Sequence, residues 1–179
     1  MKSKQMKIIC FSPTKSTRKI LENIASGISN QTADIFDLTC PSAELTTNRE
    51  ISTELALIGI PVYGGRVPIV AEKRLQKFTA DGIPAVIVVV YGNRGYDDAL
   101  LELNDIVSKC GFKPIAAGAF IAEHSFSTNE YPIAKSRPDA DDLHKAKAFG
   151  AEIGKLMNYD IVSDLNSTIK LPGNFPYKE

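Results

Sequence analysis

Nearly continuous apolar, β-branched runs alternate with helically spaced ones along most of this chain, and no other feature restricts its architecture as strongly. Met6–Phe11, Ala33–Leu38, Leu55–Val62, Ala85–Tyr91 and Pro114–Ala122 are the runs. Their continuity is that of strands covered on both faces by helices. Between them Ile20, Leu21, Ile24, Ala25 and Ile28 repeat with helical spacing, as do Ala71, Leu75 and Phe78. Ala99, Leu100, Leu103, Ile106 and Val107 form a third set, stopped by Gly111. Leu143, Ala146, Phe149, Ile153 and Leu156 form a fourth, with Asp139 placed to cap it. The reading is α/β: a βα unit repeated about five times, giving a parallel sheet with helices on both sides. The second crossover, Thr39–Thr53, is rich in Ser, Thr, Asn and Pro, so a loop or short helix is expected there. Glu123–Pro138 reads as irregular, and the Pro- and Gly-containing tail from Leu171 as a linker or a docked extension.

Composition narrows the function. With 179 residues the chain is expected to hold one domain over 1–160 and an extension over 161–179. Lys and Arg number 21 and so do Asp and Glu, a zero net charge without the basic excess that nucleic-acid or membrane-surface binding needs. The longest apolar run, Ala85–Tyr91, is about a third of the ~20 residues that span a bilayer. Cys10, Cys40 and Cys110 are far apart and odd in number, which argues against a disulfide framework or structural zinc and for reduced thiols in the cytoplasm.

In an open parallel sheet, ligands bind beyond the carboxyl ends of the strands. After the first strand comes Ser12-Pro13-Thr14-Lys15-Ser16-Thr17, four hydroxyls running into a helix start. Free N–H groups and the helix dipole make such a turn an anion site, with a simple helix cap as the plainer reading. After the third strand, Pro61-Val62-Tyr63-Gly64-Gly65 joins an aromatic face to two glycines that permit positive φ. After the fourth, Tyr91-Gly92-Asn93-Arg94-Gly95-Tyr96 repeats that combination, and a flat ring held between tyrosines is expected. After the fifth, Ser125 follows His124, a residue read as a hydrogen-bonding spacer rather than a catalyst.

Several classes drop out. The chain lacks G-x-G-x-x-G and G-x-x-x-x-G-K-[ST], so the dinucleotide fingerprint and the NTPase cradle are missing. Cys10 would need an Arg six residues on to work as a tyrosine-phosphatase nucleophile, and position 16 is Ser. A receiver domain needs an Asp closing the third strand, where Pro61-Val62-Tyr63 stands.

From Lys7 to Leu156 these loops resemble the flavodoxin family, whose phosphate loop commonly reads S-x-T-G-N-T. Ser12, Thr14 and Thr17 match its hydroxyl positions, while Lys15 replaces its Gly and Ser16 its Asn. The later loops and Pro172-Gly173-Asn174-Phe175-Pro176-Tyr177-Lys178 resemble bacterial flavodoxin-like proteins that continue into a ferredoxin domain, and no cluster-binding cysteine run is present here. The resemblance implies a three-layer flavodoxin-like sandwich of strand order 2-1-3-4-5. It implies noncovalent FMN with its phosphate at Ser12–Thr17, its ring between the Tyr63 and Tyr96 loops and Ser125 near the far side. It also implies a backbone carbonyl from Gly64 or Gly65 at the reduced flavin. Electron transfer with redox partner proteins, a ferredoxin-type partner included, or to a small acceptor is the activity expected. An FMN-dependent NAD(P)H or quinone reductase, and a non-redox module for another phosphorylated ligand, are the alternatives. Arg66 and Arg94 are expected beside the ring, where positive charge favours an anionic reduced flavin.

Overall fold

A computed structural model describes residues 5–41, 48–158 and 169–179. The expected boundary near residue 160 and the middle of the second crossover lie outside the described residues. In chain order the elements are β1 (Met6–Cys10), α1 (Ser16–Ile28), β2 (Asp34–Asp37), β3 (Arg49–Glu50), β4 (Leu55–Pro61) and α2 (Ile69–Leu75). They continue with β5 (Phe78–Thr79), β6 (Ile83–Tyr91), α3 (Ala99–Lys109), β7 (Phe112–Ile121) and α4 (Ala140–Asn158).

Five strands form one parallel sheet in the order β2-β1-β4-β6-β7. Counting only these five, the order is the expected 2-1-3-4-5. Successive side chains of a strand point to opposite faces, and the central strands use both. Ile9, Ile58, Ile87 and Val89 enter the layer shared with Ala71, Leu75, Leu103 and Val107 of α2 and α3. Ile8, Leu57, Val86 and Val88 enter the layer shared with Ile20, Leu21, Ile24, Ala146 and Ile153 of α1 and α4. Burying such side chains on both faces contributes about 1.5–3 kcal/mol each, which explains runs that are continuous rather than alternating.

α1 and α4 approach so closely that a Cβ on Gly150 would lie 2.0 Å from the Ile24 carbonyl oxygen. Asp139 caps α4 as expected. Its Oδ1 accepts the Asp142 N–H at 3.0 Å, and Asp142 Oδ2 accepts the Asp139 N–H at 3.0 Å, a reciprocal box.

Phe78 is not in the second helix. α2 ends at Leu75, and Phe78 opens β5, which pairs with Arg49–Glu50 of β3 in a separate two-stranded sheet. Its position on the Ala71–Leu75 face is the same in either geometry, and its ring packs edge-on to Phe36 at 5.7 Å. Among the described residues the second crossover contributes the short strand Arg49–Glu50.

Candidate functional site

The β1–α1 turn is fixed from both sides. The Ser12 N–H donates to Thr39 Oγ1 at 2.8 Å and its Oγ accepts the Arg18 N–H at 3.1 Å, so its side chain is used within the fold and is only 4 % exposed. Its carbonyl accepts the Lys15 N–H at 3.0 Å. The closed turn holds Lys15 at φ 64°, ψ 0°, a left-handed conformation that costs a non-glycine residue roughly 1–2 kcal/mol. The Gly that the resembling pattern has at this position would adopt it freely. The N–H groups of Ser16 and Thr17 have no acceptor among the described residues, and the helix dipole adds its positive end. The hydroxyls of Thr14 and Ser16 bond each other at 3.2 Å on the rim, while Thr17 is buried.

This turn opens onto a narrow cleft of about 80 Å³ at the carboxyl ends of the central strands. Thr14, Ser16 and Thr17 line one side and Pro61, Val62 and Tyr63 the end of β4. Tyr91 and Gly92 enter from β6, and Glu123, His124 and Ser125 from the segment after β7. Loops distant in sequence therefore meet where the sequence places a site. Thr14 and Ser16 also border a wider, open cavity of about 490 Å³ that Lys15, Lys19 and Arg137 line.

The Tyr63–Arg66 turn is closed by two bonds, Tyr63 N–H to the Arg66 carbonyl at 3.0 Å and the reverse at 3.1 Å. Gly64 at φ 62° and Gly65 at φ 85° occupy its centre, where two positive φ values are required. The Gly65 carbonyl accepts the Asp98 N–H at 3.1 Å. No described residue donates to the carbonyl of Gly64. Tyr63 stays half exposed at the cleft mouth.

In the next loop the two tyrosines differ. Tyr91 lines the cleft; Tyr96 stands behind it, its ring 5.2 Å away and edge-on, packed against the core. Asn93, at φ 61°, and Arg94 are exposed, and Gly95 is partly buried. His124 is a spacer: Nδ1 accepts the Phe126 N–H at 3.0 Å, and its ring lies where a Gly92 Cβ would meet it at 2.3 Å.

Arg66 does not face the cleft as an uncompensated charge. Its guanidinium donates to both Glu102 oxygens and to the Lys178 carbonyl and lies over the Tyr177 ring, so of the two arginines expected beside a ring this one is engaged within the fold. Burial pushes the Cys10 thiol up to about 12, which keeps it protonated and inert and agrees with its exclusion as a nucleophile. Thr39 is the contributor that sequence reasoning missed. It lies in the crossover with the weakest pattern, and no local signal links it to Ser12.

Fold and cleft together define a flavodoxin-like α/β protein. The chain is similar to a flavodoxin from the domain Archaea (TM-score 0.55, 13% identity, 86% of this chain and 99% of that one). A WrbA-like flavodoxin from Agrobacterium tumefaciens compares similarly (TM-score 0.57, 15% identity, 88% and 99%). Against the Flv1 flavodiiron core from Synechocystis the match covers 87% of this chain but 36% of that one, with TM-score 0.60 and 14% identity. These likenesses establish the fold. No protein-family model and no curated protein matches the sequence. No helix among the described residues is long and apolar enough to cross a membrane.

Proposed function

We propose that the protein binds FMN at this cleft and carries electrons between redox proteins or to a small acceptor. The observation that carries this reading is the β1–α1 turn, where Lys15 accepts a strained conformation and two N–H donors at the mouth of a strand-end cleft have no acceptor among the described residues. Local capping accounts for the Ser12 hydroxyl, which serves Arg18, but not for the open N–H groups or the rim hydroxyls of Thr14 and Ser16. That donor set fits a phosphate monoester. Each hydrogen bond to a charged group contributes roughly 1.5–3 kcal/mol.

Tyr63 and Tyr91 supply aromatic faces for the ring, and Gly64, next to Tyr63, supplies a carbonyl that no described residue engages. FMN brings one- and two-electron chemistry when bound; the protein's part is to orient the ring and set its potential. Arg94, exposed in the loop after β6, would favour an anionic reduced ring.

The test is the visible spectrum of the purified protein, followed by titration of apoprotein with FMN and with riboflavin. A yellow protein that binds FMN more tightly than riboflavin and oxidises almost no NADPH is the expected result. Rapid NADPH oxidation would make it a reductase. Protein that stays colourless after FMN is added and excess removed would overturn the flavin reading in favour of another phosphorylated ligand.

A further inference from the structure

The segment from Leu171 to Lys178 is tied to the Gly64–Gly65 turn more tightly than a linker requires. Leu171 packs against the core layer beneath α3. Gly173 adopts φ +134°, and a Cβ there would stand 2.9 Å from Leu101 Cβ. Beyond it the N–H groups of Asn174 and Lys178 donate to the two oxygens of Asp98 at 2.8 and 2.6 Å. Lys178 Nζ reaches Asp97 Oδ2 at 2.8 Å, and the Tyr177 hydroxyl donates to Asp105. The Lys178 carbonyl accepts Arg66 Nη1 at 2.5 Å, and the Arg66 guanidinium lies 4.9 Å from the centre of the Tyr177 ring.

Three of the residues held this way belong to the turn or support it directly. Arg66 closes the turn through its own N–H and carbonyl, and the Asp98 N–H holds the Gly65 carbonyl. Asp97 walls Gly65, where an added Cβ would lie 2.3 Å from Oδ2. The Gly65 carbonyl is thus fixed from behind, while Gly64 has open space around it and a carbonyl without a donor among the described residues.

We propose that the C-terminal segment is a positioning strap for this turn, with Arg66 and Asp98 as the positioning residues that transmit it, and that it thereby sets the affinity and potential of the bound flavin. The second half rests on the FMN reading; the first half, tail to turn, does not. The strap holds the Gly65 peptide still and leaves the Gly64 peptide as the one that adapts to the ligand.

The 179-residue chain carrying Gly173→Ala tests this outside the turn and the cleft; its added Cβ meets Leu101 and the Asp98 Cα, so the Arg66 amide, which it does not reach, carries the decisive readout. Tyr177→Ala gives the same test should the first variant not fold. Amide hydrogen exchange should speed up by about tenfold or more at Asn174, Lys178, Arg66 and Asp98 while Ile58 in β4 keeps its protection. The FMN dissociation constant should rise several-fold, and a tenfold preferential loss for one oxidation state would appear as ~59 mV in a one-electron potential. Free exchange at Asn174 and Lys178 with unchanged Arg66 and Asp98 amides and unchanged FMN affinity would overturn the strap. Uniformly faster exchange that includes Ile58 would also overturn it, showing mere loss of stability. If the wild type binds no FMN, the flavin reading fails while the exchange data still decide whether tail and turn are coupled.

Discussion

Arg66 and Glu102 meet in a two-point contact, Nε to Oε2 at 2.8 Å and Nη2 to Oε1 at 2.6 Å. The carboxylate side chain is 7% exposed and the arginine side chain 33%. Oε2 also accepts the Val67 N–H at 2.8 Å. The chain leaving β4 is therefore anchored on α3 by a carboxylate that has little access to water, and the arginine's charge is spent there.

Arg66→Ala strips Glu102 of its ionic partner and leaves one backbone donor. Because the carboxylate stays buried, the expected loss is about 1.5–3 kcal/mol, more than an exposed pair would give. Urea denaturation measures it; a loss below ~0.5 kcal/mol would class the contact with ordinary surface pairs.

If the cleft holds flavin as proposed, Arg94→Ala should lower its potential, because a positive charge in a neighbouring loop stabilises the anionic reduced form. In a partly hydrated loop the effect is on the order of 20–30 mV. Potentiometric titration of both proteins checks the direction, and an unchanged or higher value in the variant removes Arg94 from the account.

Docking of the tail should be acid-sensitive. The N–H groups of Lys178 and Asn174 hold the Asp98 carboxyl below the ordinary carboxylate range, with Arg66 and the Lys178 ammonium adding to this. A depressed folded pKa means the contribution is complete above the unfolded value of about 3.9 and is lost as pH falls through the folded one. Exchange at the Asn174 amide should accordingly show constant structural protection between neutral pH and about pH 5, with release confined to lower pH. In Asp98→Asn the acid step should vanish.

Gly150→Ala drives a methyl into the Ile24 carbonyl oxygen, which neither backbone can avoid without separating α1 from α4. Overpacking of this kind costs typically 1–3 kcal/mol, on the order of a quarter of a domain's stability. Thermal unfolding should show a clear drop in Tm.

Lys15→Gly has the opposite sign. It removes the left-handed penalty at φ 64° but adds backbone freedom to the unfolded chain, so a net gain of up to about 1 kcal/mol is expected. Chemical denaturation of the apoprotein reads it, and a loss would mean that the lysine side chain contributes contacts that offset the strain.

The sheet was legible because its central strands are buried on both faces. Ile8 and Ile9 leave in opposite directions yet are both apolar, and that continuity marks a parallel strand under two helix layers. The strand-end loops were legible because glycines and hydroxyls concentrate where the chain turns at the carboxyl ends of β1, β4 and β6. Phe78 was not, since positions 71, 75 and 78 share a face whether the last belongs to a helix or to an extended segment packed on Phe36. Nor was the Ser12–Thr39 bond, which joins residues 27 apart through a hydroxyl in a stretch without periodicity. The engagement of Arg66 escaped for a similar reason. Its partner Glu102 lies on the apolar side of α3, where a lone carboxylate gives no pattern until the fold brings a guanidinium to it.

The contact between Gly65 and Asp97 makes two bends that arise from different strands share a single steric slot. A side chain larger than hydrogen at 65 has both to adopt φ +85° and to displace the carboxylate at 97, so glycine at 65 is held by two independent constraints. Libraries that vary this turn should therefore keep glycine at 64 and 65 and explore 97, where a smaller side chain relieves the slot without asking anything of 65.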